Sequence, residues 1–260
     1  MTIYLSILLG FMSLSCNSES SGALEQILEE VPEEIIPIEQ EKLEQKEEET
    51  TAETNNQKKK TIKILALGDS YTIGESVCDT CRFPEQLKKN LTSKFENDTE
   101  FELQIIARTG WTTSSLISAI DSENPNNDFD LVTLLIGVNN QYQGRPFSIY
   151  ESEFPRLVNT AITKARGEKD NIIVVSIPDY AFTPFGKGNT GISEDIDKYN
   201  SFAESFCSLN NISYVYITDI TRDGLTNTTL VASDGLHPSE IAYSKFVDRL
   251  TPIALKKLND

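Results

Sequence analysis

The chain has 260 residues, with 40 acidic against 23 basic side chains and one histidine, for a formal net charge of −17. A surface this acidic repels phosphate backbones and anionic headgroups at long range, which argues against nucleic acid as a partner. From Thr61 onward the 27 acidic and 18 basic residues leave −9; no repeat or second boundary appears there, and about 200 residues can bury one substantial core.

The first sixteen residues, MTIYLSILLGFMSLSC, are uncharged. Their apolar run over residues 7–12 is too short for a bilayer core, which takes ~20 apolar residues, and fits the h-region of a secretory signal. Ser13-Leu14-Ser15-Cys16 resembles the lipobox of bacterial lipoproteins, in which the cysteine is lipidated and becomes the mature N-terminus. The stretch departs from that pattern in two places: no Lys or Arg precedes the apolar run, and Ser13 replaces the usual Leu. An ordinary signal peptide or a buried N-terminal strand is the alternative. Residues 17–60 hold 13 Glu and 5 Lys, net −8, with Pro32 and Pro37 interrupting any helix. Low hydrophobicity with one dominant charge sign cannot offset the entropy of ordering. Residues 17–60 are therefore expected to be an acidic disordered tether and 61–260 the folded domain. The lipoprotein resemblance implies an extracytoplasmic protein anchored to the membrane by its lipid alone.

Within 61–260, apolar β-branched runs alternate with helical patterns. TIKILALG predicts a first strand, ending in Gly68-Asp69-Ser70-Tyr71, and FPEQLKKNLTSKF a helix. ELQIIA, the second strand, ends in Arg108-Thr109-Gly110-Trp111 and leads to the helix TSSLISAI. DLVTLLIG, the third, ends in Gly137-Val138-Asn139-Asn140 before a helix over 148–166. NIIVVSIP and ISYVYIT predict two more strands, flanking the helix SEDIDKYNSFAESFCSL. After ASDGLHPSE, a last helix runs through SEIAYSKFVDRLTPIALKKL. Near-continuous apolarity marks strands covered on both faces, as in a parallel sheet. Strand–helix alternation implies an α/β sandwich with right-handed crossovers, whose working residues gather at strand ends.

A serine directly after a strand-terminating Gly-Asp can present its hydroxyl at the sheet edge, although turns use the same residues for backbone reasons alone. Gly110 offers an unobstructed backbone N–H and Asn139 a side-chain amide donor; each also suits a plain turn. His237, three residues after Asp234, is either a general base with an orienting carboxylate or a loop histidine. GDSY, RTGW, GVNN and DGLHPS stand in the order, and at the strand ends, of the four blocks of the SGNH (GDSL-type) hydrolase superfamily. The chain is identified as a member over about residues 62–245. That resemblance implies a flavodoxin-like three-layer α/β/α sandwich around a mostly parallel five-stranded sheet. It also implies Ser70 as nucleophile, Ser70, Gly110 and Asn139 as oxyanion-hole donors, and His237 as base with Asp234 as its partner. The third block usually ends in Asp, and here it ends in Asn140, beside the donor rather than on it.

These residue types suit one chemistry. A serine hydroxyl is a weak nucleophile until a neighbouring base takes its proton, and imidazole titrates near working pH. A carboxylate on the other ring nitrogen holds the tautomer and stabilises the imidazolium; fixed donors stabilise the tetrahedral oxyanion. The expected activity is hydrolysis of acyl esters, acetyl among them, on small-molecule or glycan substrates, without metal or organic cofactor. An acyltransferase on the same site and a catalytically silent surface binding module are the alternatives.

Three further features invite a function. Gly186–Gly191 spells G-x-G-x-x-G but does not directly follow a strand as a dinucleotide fingerprint does, so a flexible loop near the site's rim is expected. Cys78 and Cys81 have metal or redox spacing, but one His, Cys207 and carboxylates are a poor pool for a zinc site. In an exported domain a local disulfide between them would brace the loop after Ser70, with two free thiols as the alternative; Cys207 reads as buried and inert. Trp111, beside Gly110, either lines a substrate pocket or packs.

Overall fold

A computed structural model describes residues 59–259. The signal segment, Cys16 and all of the tether up to residue 58 lie outside the described residues. In chain order the elements are β1 (Lys60–Gly68), α1 (Ser70–Ile73), α2 (Phe83–Thr92), β2 (Thr99–Ala107), α3 (Thr113–Glu123) and β3 (Leu131–Leu135). They continue with α4 (Val138–Tyr142), α5 (Phe147–Lys164), β4 (Ile172–Val175), α6 (Thr190–Asn210), β5 (Ser213–Val215), α7 (Thr218–Arg222) and α8 (Glu240–Asn259).

All five strands are parallel, in the order β2-β1-β3-β4-β5. The chain reverses its winding between β1 and β3, which opens a crevice outside the carboxyl ends of those two strands. Helices cover both faces. α2 packs against α8 on one side; α3 packs against α5, and α5 against α6, on the other. Every residue of β3 and β4 is buried as a result, which explains their unbroken apolar runs. Tyr150 and Phe154 of α5 meet Tyr199 and Phe202 of α6 with ring centroids 4.6–6.2 Å apart. Among the described residues no helix is long and apolar enough to cross a membrane.

The end of β1 is a tight place. A Cβ on Gly68 would lie 2.1 Å from Thr72 Oγ1 and 2.5 Å from the Leu135 carbonyl oxygen, so only glycine lets β3 and α1 approach this closely. Gly137, at the end of β3, adopts φ 131° with the Tyr150 ring 2.6 Å from where its Cβ would be.

Two expectations are corrected. The apolar runs of β4 and β5 outlast their ladders, because side chains from elsewhere take over the backbone. Asn200 of α6 accepts from Ile177 N–H at 2.8 Å and donates to the Ile177 carbonyl at 3.1 Å. Ser176 Oγ accepts from Ile217 and Thr218 N–H, and Thr218 already begins α7. The Gly186–Gly191 stretch is not a loose loop. Lys187 and Gly188 donate to the Thr183 and Ala181 carbonyls, and Thr190 starts α6.

Candidate active site

The crevice between β1 and β3 holds a cavity of about 190 Å³ that Ser70, Gly110, Asn139 and His237 all line. Tyr71, Val138, Leu236 and the buried Tyr180 wall it, together with the exposed Tyr142. Trp111 is absent from that lining; it is partly buried and packs against the core. A larger groove of about 880 Å³ opens at the opposite, N-terminal end of the strands, beside Ser213 and Lys257, away from where open α/β sheets place their chemistry.

Ser70 opens α1 and is 4 % exposed. Asp69 caps that helix, its Oδ1 accepting from Tyr71 N–H at 3.0 Å; the Ser70 N–H belongs to the first-turn donors that a helix leaves without an intrahelical partner. Asp69 is fully buried and its Oδ2 has no hydrogen-bond partner. Burial pushes its carboxyl up to about 7, against the lowering effect of the Tyr71 N–H.

Gly110 adopts φ 84°, and the space where a Cβ would stand is open, so its backbone meets the cavity without obstruction. Asn139 sits in α4 and donates through Nδ2 to the Trp111 carbonyl at 3.0 Å; a carboxamide has a second N–H to offer. Asn140 points away from this work. It is wholly buried, accepting from Thr113 N–H at 2.9 Å and donating to Thr113 Oγ1 at 2.7 Å. An amide serves that pair of bonds, one accepted and one donated, where an ionised carboxylate only accepts. The departure from the usual Asp therefore fits the start of α3.

His237 lies in a turn that folds back on itself, with Val231 and Pro238 bridged antiparallel and Ala232 N–H donating to the His237 carbonyl at 2.7 Å. Asp234 Oδ1 accepts from the backbone N–H of Leu236 and His237 at 2.9 and 3.0 Å, and Oδ2 lies 2.6 Å from His237 Nδ1. Burial alone would raise the Asp234 carboxyl, but donors from His237, Ser76 and the backbone hold it at about 2. An ionised carboxylate only accepts, so Nδ1 carries a proton toward it, and in the neutral imidazole Nε2 is then the acceptor. The imidazole is 8 % exposed and meets the Tyr71 ring edge-on, centroids 5.7 Å apart. Among the described residues no hydrogen bond joins Ser70 to the ring; such contacts are often long before substrate binds.

Three contacts around the site are not legible in the sequence. Ser76 Oγ donates to Asp234 Oδ2, Thr109 donates to the Glu75 carboxylate, and Tyr142 stacks against Tyr180 and Phe185 at 6.0 and 6.1 Å. Cys78 and Cys81 are joined as a disulfide in the loop after α1, and Cys207 is buried, its thiol pushed up to about 12 by burial.

The GDSL-like Lipase/Acylhydrolase family profile matches residues 66–245. The chain belongs to that family and is a hydrolase acting on ester bonds. No curated protein sequence matches it. Among solved structures it is similar to a psychrotrophic esterase, EstA, from Pseudoalteromonas sp., in a form inhibited by monoethylphosphonate: 17% identity over 76% of this chain and 99% of that one, TM-score 0.53. It is similar to a lipase/acylhydrolase from Enterococcus faecalis, at 17% identity over 74% of this chain and 94% of that one, TM-score 0.56. An acetyl xylan esterase from Geobacillus stearothermophilus aligns at 17% identity over 76% and 94%, TM-score 0.55. At such identities these likenesses speak for the fold.

Proposed function

We propose that the protein cleaves short acyl esters by covalent catalysis at Ser70. The observation that carries this reading is the convergence of Ser70, Gly110, Asn139 and His237 on one cavity, with His237 held by an ionised Asp234. Nε2 takes the Ser70 proton as Oγ attacks the ester carbonyl. The resulting oxyanion meets Ser70 N–H, Gly110 N–H and the Asn139 amide, each donor contributing about 3 kcal/mol. The imidazolium returns its proton to the departing alkoxide. Water, deprotonated by the same Nε2, then attacks the acyl-serine, releasing the carboxylic acid and restoring the hydroxyl.

The cavity, about 190 Å³, lies below the roughly 300–1,000 Å³ of sites for drug-sized ligands. That supports a short acyl group such as acetyl against Val138 and Leu236; one fold neighbour is an acetyl xylan esterase. The alcohol portion, a small molecule or a glycan, lies toward the half-exposed Tyr142 and Phe185. We also propose that the domain is exported and tethered through a lipid on Cys16. The Cys78–Cys81 disulfide supports an oxidising compartment.

Ser70→Ala should lower kcat about a thousandfold or more with the fold retained, and a serine-directed organophosphonate should label Ser70 in the parent. Near-normal turnover in the variant, or labelling at another residue, contradicts the reading.

A further inference from the structure

Four donors reach the Asp234 carboxylate. Three belong to its own turn: the N–H groups of Leu236 and His237 on Oδ1, and His237 Nδ1 on Oδ2. They fix the imidazole to the turn. The fourth comes from outside it. Ser76 Oγ lies 2.7 Å from Oδ2, 158 residues away in the chain and only six residues after Ser70. Among the described residues it makes the one side-chain hydrogen bond between the loop 74–82 and the turn 231–238.

The loop is built to hold that hydroxyl. Gly74 ends α1 at φ 79°, and Ser76 itself sits at φ 66°, a region that non-glycine residues rarely adopt and that recurs where function requires it. Val77 packs against the core and the Cys78–Cys81 disulfide closes the loop. Glu75 accepts from Thr109, next to Gly110, so adjacent residues of one loop reach both sides of the cavity.

We propose that Ser76 is a positioning residue, which through Asp234 holds the His237 imidazole against Ser70. This rests on the roles given above to Ser70, His237 and Asp234. Around the pair stand the buried Asp69, Tyr71 and Tyr243 and the Glu75 carboxylate. Without the Ser76 hydroxyl, Asp234 loses one donor to its charged form and holds an imidazolium more tightly.

The test compares kcat, KM and the pH profile of kcat/KM in Ser76→Ala, Ser76→Gly, Asp234→Asn, His237→Gln and the Ser76→Ala/Asp234→Asn double variant. Glycine relieves the positive φ while removing the hydroxyl, which keeps a folded variant in hand, checked by thermal melting. Expected is a fall in kcat of about tenfold in both Ser76 variants, with KM near the parental value and the ascending limb of kcat/KM moved to higher pH. Ser76→Ala should cost nothing further in the Asp234→Asn background, because it acts through that carboxylate. Parental rates and limb in both Ser76 variants, recovery in Ser76→Gly alone, or an undiminished loss in the double variant overturns the proposal. His237→Gln separates this from the parent reading: it must be inactive for that reading to stand, whatever the Ser76 variants do.

Discussion

Asp69 and Asp234 are both carboxyls beside the cavity, and their surroundings drive them in opposite directions. Asp69 is enclosed with one backbone donor and an unpartnered Oδ2, so burial dominates and raises it to about 7. Asp234 is more open and has four donors, which hold it at about 2. The consequences for stability differ in sign. Between its ordinary 3.8 and about 7, Asp69 keeps a proton in the native state that the unfolded chain has lost, so stability falls as pH rises through that window. Asp234 contributes stability above the ordinary carboxylate range and loses it as pH falls toward 2. Asp69→Asn keeps an Oδ1 acceptor for the Tyr71 N–H and removes the titration. Urea unfolding at pH 4 to 7, a span of about three units taken from the linkage window, should show the decline in the parent and a flatter course in the variant. An equal slope in both contradicts the assignment.

At the scale of elements, the sequence shows what is decided locally. The five strands and the longer helices announce themselves through unbroken apolar runs and helical periodicity, as with Leu131–Leu135 and the helix carrying Tyr150, Phe154 and Leu157. The single-turn helices α1, α4 and α7 span only four or five residues, too few to show a period. Strand ends are not legible locally, because side-chain bonds from Asn200 and Ser176 take over the backbone where the β4–β5 ladder stops. The same distinction divides the site. Ser70, Gly110 and Asn139 lie in short motifs just past the ends of β1, β2 and β3, whereas Asp234 and His237 lie not at a strand end, as expected, but in the turn before α8; all are legible one block at a time. Ser76 meets Asp234 across 158 residues, and the Tyr142–Tyr180–Phe185 cluster joins α4 to the β4–α6 connection. Nothing in a linear pattern encodes such meetings. Trp111 shows the converse: adjacency to Gly110 does not decide which way a side chain faces.

For the whole molecule, the acidic residues 17–60 and the acidic domain are both repelled from anionic surfaces, so the proposed membrane residence would rest on the lipid on Cys16. Metabolic labelling with a fatty-acid probe should mark the parent and leave Cys16→Ser unmarked. An unlabelled parent would remove the anchor from the account while leaving the chemistry at Ser70 untouched, because the cavity is built wholly from residues of the folded domain.

The central claim is that His237 is the base, and the pH profile of kcat/KM tests it most directly. The rival to His237 beside Ser70 is the Asp69 carboxyl, raised to about 7 by burial. Profiles of the parent, His237→Gln and Asp69→Asn separate them. The account predicts that Asp69→Asn keeps a single ascending limb, while His237→Gln loses both the limb and most of the rate, since the chain has no second histidine. A His237→Gln enzyme that stays active with the parental limb, or an Asp69→Asn enzyme that lacks the limb, would contradict it.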